Sequence, residues 1–560
     1  MKIKLNNQNI EVEKSKTILD ICKDLGIQIP TLCVIEDLKP EARCRLCLVE
    51  MDGKLVTSCS TFPGDEASIV TDSPKIRKAR EINAELLMPG HVQTWSLDKN
   101  SHDLCKLIND LGMTRIRFDP ITQYEQDLSE SVIRDDNKCI NCGKCIRTCG
   151  EIMSVHAIDF EGRGYKERVT PYFGHKLNDV ACIKCGQCIA ACPVGAIYER
   201  EHLFEVLKVL KEKSASGKHI VVQTAPSVRV ALGEEFGLAP GTLVTGKMVA
   251  ALKKIGFDKV FDTDIGADIT IMEEGTEFLK RVKESGPFPM ITTCCPGWIK
   301  YLEHFEHGLI PNMSTCKSPH EMLGNLIKRY YAEKSNIKKE NIVVVSIMPC
   351  TAKKFESTRP ELNSDVDYVL TTRELAKLIR HYKIDFLSLT NENFDDPLGI
   401  STGAAVIFGA TGGVMEAALR TAYEVATKKS LTKIEFDQIR GLDGIKEGAI
   451  SINGIEVRFA VASGGANVKK LLERKEKYHF IEMMACPGGC IGGGGQPWPT
   501  TKEIVKKRME GLYAQDKKMP LRKSHENPAV QTLYKEFLGE PGSEKAEEFL
   551  HTKYFKRSMF

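Results

Sequence analysis

The sequence predicts an α/β protein built from several domains. Its 560 residues exceed what one hydrophobic core organises. Apolar, β-rich runs such as HIVVQTAP and ENIVVVSIMP alternate with helical patterns such as TGKMVAALKKIGF and TTRELAKLIRHYK. That alternation is typical of helices covering a largely parallel sheet. The 20 cysteines fall into separate groups, which divides the chain into modules.

Charge and hydropathy exclude several classes of function. With 78 basic and 75 acidic residues the net charge is +3, so charge does not favour nucleic acid or an anionic membrane as the main partner. The first twenty residues lack the apolar core of a signal peptide, and the apolar runs are too short to span a bilayer. We therefore expect a soluble cytoplasmic protein, in which patterned cysteines indicate metal binding rather than disulfides.

The first module, residues 1–78, is predicted to be strand-rich. An Asn-Asn turn between KIKL and QNIEVE suits a hairpin, and TILDICKDLGI suits a short helix closed by Gly26. A lone cysteine, a close pair and a later cysteine follow: Cys33, Cys44, Cys47 and Cys59. Four such thiolates can hold a 2Fe-2S cluster, and the module resembles the β-grasp domain of plant-type ferredoxins, although the cysteine spacing differs. A structural zinc site is the alternative.

The module at residues 126–208 gives the least ambiguous signal. CINCGKCIRTC and CIKCGQCIAACP both contain C-x2-C-x2-C-x3-C and start 43 residues apart. In this bacterial ferredoxin pattern, three cysteines bind one 4Fe-4S cluster and the fourth binds the other cluster. The pattern assigns Cys139, Cys142, Cys145 and Cys192 to one cluster, and Cys182, Cys185, Cys188 and Cys149 to the second. Eight zinc ligands at this spacing would be a coincidence, so we expect an electron-transfer module that serves a catalytic site elsewhere.

Residues 209–560 are expected to form a large two-lobed α/β catalytic domain, wrapped by helices from about residue 505 onward. Four cysteines lie in its predicted loops: Cys295 in TTCCPGW, Cys350 in MPCTAKK, and Cys486 and Cys490 in MMACPGGCIGGGGQP. Four is the number that a further cubane requires. The glycine run 492–495 is expected to let the backbone approach a bulky cofactor closely; a flexible turn is the alternative.

The segments TTCCPGW, MPCTAKKFE and MMACPGGCIGGGGQP resemble, in order, the three signature segments of the FeFe (iron-only) hydrogenases. The amino-terminal modules match the long clostridial type, and the resemblance covers nearly the whole chain. It implies reversible interconversion of H2 with protons and electrons at an H-cluster, a 4Fe-4S cubane joined to a two-iron unit with CO, CN and azadithiolate. It also implies a ferredoxin or flavodoxin as electron partner, and maturation proteins that install the two-iron unit.

The resemblance implies roles for single residues around this cluster. The cubane ligands would be Cys295, Cys350, Cys486 and Cys490, with Cys490 also bridging to the two-iron unit. Lys353 and Ser227 would bind cyanide, because a lysine charge stabilises an anionic ligand. The pocket walls would be Ala225, Pro226, Met348 and Met484.

The resemblance also implies a proton relay that begins at Cys294. A thiol with an ordinary pKa of about 8.5 stays mostly protonated at neutral pH, so Cys294 can donate a proton and then be refilled. Glu274, Glu277 and Arg281 are spaced to share one helix face, and the relay would comprise them together with Ser314 and Glu356. Taken alone, such a charged face is most often simply solvated.

The sequence departs from the family at a further cluster site in segment 79–125. Long members carry H-x3-C-x2-C-x5-C there, whereas Trp95 and Asp98 occupy the first two cysteine positions here and Cys105 comes one residue late. We expect no cluster and a packed or surface His91; the alternative is an unusual ligand set of His91, Asp98, His102 and Cys105. Electrons should therefore enter at the 2Fe-2S site or directly at the paired 4Fe-4S clusters.

Smaller departures lie close to the expected active site. Thr293 stands where serine is common, His320 where glutamine is common, and Cys316 where a small residue is usual. His320 would either tune cofactor hydrogen bonding or be a neutral spectator, and Cys316 is expected to serve packing.

Three other functions stay open beside a hydrogenase. An Fe-S carrier or assembly factor would need neither Cys294 nor the relay, and a hydrogen sensor would normally add a signalling domain. A subunit of a larger NAD-linked complex is the third, since the chain shows no dinucleotide-binding fingerprint of its own.

Overall fold

The computed structural model describes residues 1–97, 102–118, 124–363, 365–431 and 433–558. Over these residues the chain forms five β-sheets, with helices packed against the larger ones. The predicted α/β class, with two small amino-terminal modules before a large catalytic region, is confirmed. Within the same described ranges, no helix combines the length and apolar character needed to cross a bilayer.

The amino-terminal module is a five-stranded sheet in the order β2-β1-β5-β3-β4, with a short helix packed on it. Its elements are β1 (Lys2–Leu5), β2 (Gln8–Glu11), α1 (Ile18–Asp24), β3 (Leu48–Met51), β4 (Lys54–Thr57) and β5 (Ser68–Val70). Asn6 and Asn7 take positive φ at the predicted hairpin turn, a conformation that asparagine tolerates. Thr17 and Asp20 form a capping box at the start of α1. Gly26, with φ of 71°, follows its end.

Three helices connect this module to the next: α2 (Pro74–Leu87), α3 (Val92–Leu97) and α4 (Asp103–Asp110). They share one hydrophobic cluster with loops of both neighbouring modules, including Leu32, Ala84, Leu104, Ile108 and Val194. This segment therefore packs between the two cysteine-rich modules.

The second module has two short sheets, β10-β7-β6 and the β8–β9 hairpin. Its elements are β6 (Asp127–Leu128), β7 (Val132–Arg134), α5 (Lys144–Arg147), β8 (Asp159–Glu161), β9 (Arg168–Thr170), α6 (Gln187–Ala191) and β10 (Ile197–Glu199). Gly143 and Gly186 directly precede α5 and α6 with φ of 76° and 71°. Each cysteine motif thus turns from loop to helix at a residue without a Cβ.

The catalytic region contains the remaining elements. In chain order they are α7 (Leu203–Ser216), β11 (His219–Thr224), α8 (Thr245–Ile255), β12 (Lys259–Asp262), α9 (Thr263–Glu284), β13 (Met290–Ile291), α10 (Pro296–Phe305), α11 (Pro319–Leu326), α12 (Ala332–Lys334), β14 (Ile342–Met348), α13 (Ala352–Glu356), β15 (Tyr368–Thr371), α14 (Thr372–His381), α15 (Gly403–Val406), α16 (Gly413–Thr427), β16 (Ile445–Ile452), β17 (Ile455–Ser463), α17 (Gly465–Leu472), β18 (Phe480–Met484), α18 (Lys502–Lys518), α19 (Pro528–Leu533) and α20 (Glu544–Leu550).

These elements build two four-stranded sheets. The first, β12-β11-β14-β15, is entirely parallel. The second, β13-β18-β17-β16, is parallel except for the edge strand β16. Strands β11 and β14 are almost wholly buried, as expected for parallel strands covered on both faces.

Parallel pairing brings the cysteine-bearing loops together. Parallel strands end at the same edge of a sheet, so the loops after β11 and β14 are neighbours, as are the loops after β13 and β18. These four loops carry Ser227, Cys350, the Cys294–Cys295 pair and Cys486. The carboxyl edges of the two sheets are therefore where a site can form.

Candidate active site and metal centres

Four loop cysteines line one cavity of about 740 Å³. They are Cys295, Cys350, Cys486 and Cys490, and Cys294 lines the same cavity. The expected pocket residues are also on its wall: Ala225, Pro226, Ser227, His320, Met348, Lys353 and Met484. The structure thus brings together all the residues that the resemblance places around the H-cluster.

The donor set of this cavity fits a thiolate-bound iron cluster. Burial raises the pKa of all four cysteines, and neighbouring thiolates add to the effect for Cys350, whose pKa reaches about 12. Four buried thiolates need compensating positive charge, which iron supplies. The Ser227 hydroxyl oxygen is buried and has no hydrogen-bond partner among the described residues, so it is available to a group bound in the cavity.

Lys353 reaches the cavity from α13 and is held there by a buried carboxylate. Its ammonium donates to the Cys294 carbonyl oxygen at 3.2 Å and to Glu356 at 2.7 Å. Glu356 also bonds His320 Nε2 at 2.6 Å. Burial opposes ionisation of Glu356, but Lys353 and His320 outweigh it and hold its pKa at about 2. Burial and the Lys353 charge lower the pKa of His320 to about 4, so a neutral imidazole lies beside a charged pair.

A separate hydrogen-bonded chain runs from α9 towards the surface. Glu274 accepts the Thr293 N–H at 3.4 Å, and the nearby Ser314 hydroxyl opposes the effect of burial on the Glu274 pKa. The Ser314 hydroxyl donates to Glu277 at 2.9 Å, and Arg281 donates to Glu277 at 2.6 Å. Hydrogen bonds therefore connect three of the five predicted relay residues behind Cys294, and Glu274 lies beside them.

Glu356 is not brought into that chain. Among the described residues its hydrogen bonds join Lys353 and His320, which do not belong to that chain. Its predicted relay role therefore finds no support in the geometry.

Burial favours the protonated forms of Glu274 and Cys294, at the inner end of this chain. Burial, with a contribution from the Glu277 charge, raises the pKa of Glu274 to about 8. One Glu274 carboxyl oxygen is buried without a hydrogen-bond partner among the described residues. Burial and then the Glu274 charge raise the pKa of the Cys294 thiol well above its ordinary value. Both groups are therefore protonated at neutral pH.

The eight cysteines of the second module lie in the two predicted sets. Cys139, Cys142, Cys145 and Cys192 line a cavity of about 390 Å³. Burial and then the charges of Cys182 and Cys149 raise the pKa of the partly buried Cys188, and Cys188 and Cys149 act in the same way on Cys185. These effects on the pKa values indicate that Cys149, Cys182, Cys185 and Cys188 lie near one another.

The second cluster set adjoins the catalytic cavity. After burial, Cys486 is the largest influence that raises the Cys185 pKa, so thiols of the two sites are neighbours. Gln187 donates its side-chain amide to the Gly492 carbonyl oxygen at 2.9 Å, and the Thr351 hydroxyl donates to a backbone carbonyl two residues before Gly186, at 2.8 Å. Our sequence prediction missed both contacts. The sequence feature that could have indicated these contacts is that Gln187 and Thr351 each lie next to a motif cysteine.

The glycine run 492–495 also brings loops together. A Cβ on Gly493 would lie 2.2 Å from the Pro349 carbonyl oxygen, and one on Gly494 would lie 2.3 Å from the Cys185 carbonyl oxygen. These glycines allow close approach of backbone to backbone, joining the loops of Cys350 and Cys185. Gly493 lines the cavity as well, so close approach of backbone to a cofactor stays a prediction.

The four amino-terminal cysteines are buried and mutually close. Cys33 and Cys44 lie within hydrogen-bond distance of each other, as do Cys47 and Cys59. The charge of Cys33 acts on both members of the second pair. The structure therefore brings together the four predicted 2Fe-2S ligands.

At the degenerate cluster site, His91 is fully buried and its Nε2 lies 2.8 Å from a backbone carbonyl oxygen. Burial lowers its pKa to about 4. Its ring packs edge-on against His102, which lies 3.3 Å from the Cys105 sulfur, and the Trp95 indole donates to a side-chain amide. Asp98 lies outside the described residues. His91 is thus packed in the interior, as one of the two expectations had it.

The fold and cavity define an iron–sulfur enzyme whose cluster-binding modules lead to a buried, thiolate-lined active site. Four family models match: the iron only hydrogenase large subunit, C-terminal domain, over residues 218–494; the iron hydrogenase small subunit over 502–557; a 4Fe-4S dicluster domain over 138–196; and a 2Fe-2S iron-sulfur cluster binding domain over 1–74.

Two relatives are similar over 99% of both chains. The NADP-reducing hydrogenase subunit HndD of Solidesulfovibrio fructosivorans is 46% identical over 580 aligned residues. Iron hydrogenase 1 of Clostridium pasteurianum is 40% identical over 573. A solved structure of a variant of apo FeFe-hydrogenase HydA1 from Chlamydomonas reinhardtii is 43% identical, covering 64% of this chain and 100% of that chain with a TM-score of 0.58.

This chain belongs to the iron-only (FeFe) hydrogenase family. It is an oxidoreductase acting on hydrogen, of the long multidomain type, with an H-cluster domain and with 4Fe-4S and 2Fe-2S binding domains.

Proposed function

We propose that this chain interconverts H2 with protons and electrons through a proton relay that starts at Cys294, with a ferredoxin or flavodoxin as electron partner. The observation that carries the proposal is the shared cavity of Cys294, the four cubane cysteines, Ser227 and Lys353. An Fe-S carrier or assembly factor has no use for a buried thiol backed by a hydrogen-bonded carboxylate chain.

The cavity residues would bind and orient the H-cluster. Its proposed cubane ligands are Cys295, Cys350, Cys486 and Cys490, and Cys490 would also bridge to the two-iron unit. When bound, the cluster supplies the iron and amine at which H2 is cleaved heterolytically or formed. Lys353 and the unpartnered Ser227 hydroxyl would donate to its cyanide ligands. Water would be excluded by Ala225, Pro226, Met348 and Met484, all buried.

Glu356 and His320 would act as positioning residues for Lys353. Burial alone would lower the Lys353 pKa, but Glu356 outweighs it and raises that pKa. Glu356 would thus keep the ammonium charged, and His320 would fix the second side of the carboxylate.

The chain behind Cys294 would move protons by exchange. In the direction of H2 formation, Cys294 gives its Sγ proton into the cavity and takes one from the Glu274 carboxyl group. Glu274 is reprotonated by the Ser314 hydroxyl, whose oxygen takes a proton from Glu277. Cys294, Glu274 and Ser314 end unchanged, and one proton has moved from Glu277 into the cavity. H2 oxidation would use the same path outward.

Electrons would pass between the active site and the second cluster set at the contact of Cys185 with Cys486, supported by their mutual influence. We propose 1–78, 79–125, 126–208 and 209–560 as the domains, supported by the separate family matches over 1–74 and 138–196. Installation of the two-iron unit would depend on maturation proteins.

A second candidate is that the chain is the hydrogen-activating subunit of an NADP-linked complex. Its full-length similarity to a protein named as an NADP-reducing hydrogenase subunit supports this. If so, the isolated chain should reduce a ferredoxin but not NADP⁺, and it should reduce NADP⁺ only with added subunits.

The decisive variant for the Cys294 relay is Cys294→Ala in the matured enzyme, with Cys22→Ala as a control that removes a free thiol in the core of the amino-terminal module. Infrared CO and CN bands establish that the two-iron unit is installed in all samples. H2 turnover of Cys294→Ala should fall about 10²-fold or more, the usual scale for a lost acid–base group. Turnover close to that of Cys22→Ala would refute the relay.

A further inference from the structure

A second hydrogen-bonded group adjoins the outer end of the Cys294 relay, where the carboxyl-terminal segment after α20 packs on residues 314–316. The Thr315 N–H donates to Glu277 at 3.1 Å, and the Thr315 hydroxyl pairs with His551 Nδ1 at 2.7 Å. A ring nitrogen of His551, a Glu277 carboxylate oxygen and the Cys316 sulfur lie within 4.8 Å of one another. One bridging water can span that distance.

Glu273 fixes the His551 ring from the opposite side. His551 Nε2 lies 3.1 Å from a Glu273 carboxylate oxygen. Glu273 is itself buried and accepts hydrogen bonds from the Tyr534 hydroxyl and the Gly542 N–H. A carboxylate anchored on Nε2 keeps the hydrogen on that nitrogen, so Nδ1, which faces the Thr315 hydroxyl, is the nitrogen that can exchange a proton.

His551 also connects to solvent. Glu547 has a carboxylate oxygen 3.9 Å from His551 Nδ1, and its side chain is 58% exposed compared with 6% for His551. A water-exposed acid, a shielded imidazole and the partly exposed Glu277 are therefore neighbours. Arg281, the other cation on Glu277, is a guanidinium, which stays protonated in proteins; it can orient Glu277 but cannot exchange protons with it.

We propose that His551 exchanges protons between solvent and the relay at Glu277, an inference that rests on the proposed Cys294 relay. In H2 formation, the imidazolium gives its Nδ1 proton to the Thr315 hydroxyl oxygen, which passes its own proton through one bridging water to Glu277, and the neutral ring then takes a proton from Glu547 or water. The Nε2–H bond to Glu273 persists throughout. Each residue returns to its starting state after one proton has moved inward.

The groups that face His551 are compatible with this exchange. They are three carboxylates and one thiol: Glu273, Glu277, Glu547 and Cys316. Burial lowers the His551 pKa, but Glu273 and then the other carboxylates outweigh it and raise that pKa above 6.5. Burial raises the Cys316 pKa well above that of an ordinary thiol, so this sulfur adds no charge beside the ring.

His551→Gln in the matured holoenzyme tests the proposal, because glutamine still bonds its neighbours but cannot exchange a proton near neutral pH. The matched control is His525→Gln, which removes another partly buried histidine paired with a carboxylate, Glu424, at 3.4 Å. With saturating reductant, H2 evolution should fall about tenfold. That is less than the 10²-fold typical of a lost acid, because water still reaches the partly exposed Glu277. The solvent deuterium isotope effect should rise, and added imidazole should restore the rate.

Unchanged infrared CO and CN bands would establish that each variant carries its cluster. Turnover and isotope effect equal to those of His525→Gln would overturn the proposal. So would a loss of rate that imidazole does not restore and that leaves the isotope effect unchanged. If Cys294→Ala is inactive while His551→Gln is normal, only the His551 step fails; if Cys294→Ala is also normal, the proposed relay itself fails.

Discussion

Replacing Glu274 with glutamine tests whether a buried, protonated carboxyl group is the central step of the relay. Glutamine keeps the size of the side chain and can accept the Thr293 N–H, but it has no acidic proton. Burial raises the Glu274 pKa from 4.5 to about 8, which favours the protonated form by about 5 kcal/mol at 1.36 kcal/mol per pH unit. At pH 7 about ten molecules are protonated for each one ionised.

The sign of the effect on stability follows from proton linkage. Because the folded pKa exceeds the unfolded one, folding takes up a proton between pH 4.5 and about 8, and the parent loses stability as pH rises through that range. Glu274→Gln should therefore be more stable than the parent by about 3 kcal/mol at pH 7, and by almost nothing at pH 4.5. Its H2 turnover should nevertheless fall about 10²-fold or more.

Both effects are measurable with Glu284→Gln, an exposed position at the end of the same helix, as control. Anaerobic denaturant unfolding at pH 5 and pH 8 gives the pH dependence of the stability difference. Infrared difference spectra should show a carboxylic acid C=O band that is lost with a midpoint near pH 8 and is absent from Glu274→Gln. A stability difference that does not change with pH would refute the burial argument, and turnover equal to the control would refute the relay.

Three further changes test other parts of the site. Gly494→Ala places a Cβ 2.3 Å from the Cys185 carbonyl oxygen. The substitution should lower the unfolding free energy by about 1–3 kcal/mol and slow electron transfer to the active site. The control Gly308→Ala, whose Cβ has no atom within 4 Å, should have neither effect. Glu356→Gln removes the charge that holds Lys353, so the infrared CN bands should shift and turnover should fall; unshifted bands would contradict the positioning role. Cys47→Ser should abolish the 2Fe-2S electron paramagnetic resonance signal while leaving viologen-driven turnover intact; persistence of the signal would reject the assigned ligand set.

The cysteine spacing within each 4Fe-4S motif could be interpreted from sequence because it is local, whereas the four cysteines of the catalytic cavity, between residues 295 and 490, were grouped only by the family resemblance. Cysteines spaced by two or three residues wrap a cubane whatever the rest of the chain does, and the periodicity of α9 gives the shared face of Glu274 and Glu277. Thr315 and His551 are 236 residues apart in the sequence, so no helical or strand periodicity could predict their hydrogen bond. The contact of Gly494 with Cys185 is equally remote, which is why the glycine run suggested a close approach but not to which partner.

The pairing of Glu356 with Lys353, by contrast, could have been predicted from the sequence. Lys353 and Glu356 lie three residues apart on one short helix, a spacing that pairs opposite charges. A buried carboxylate with a lysine partner stays ionised, whereas the buried Glu274, with no cation among its described contacts, keeps its proton. In the proposed mechanism Glu356 therefore holds the charged Lys353 in place, whereas Glu274 carries a proton. For these two residues the local difference is Lys353, which lies three residues before Glu356; the same rule does not extend to Glu277, which pairs with Arg281 four residues on and still belongs to the proposed relay.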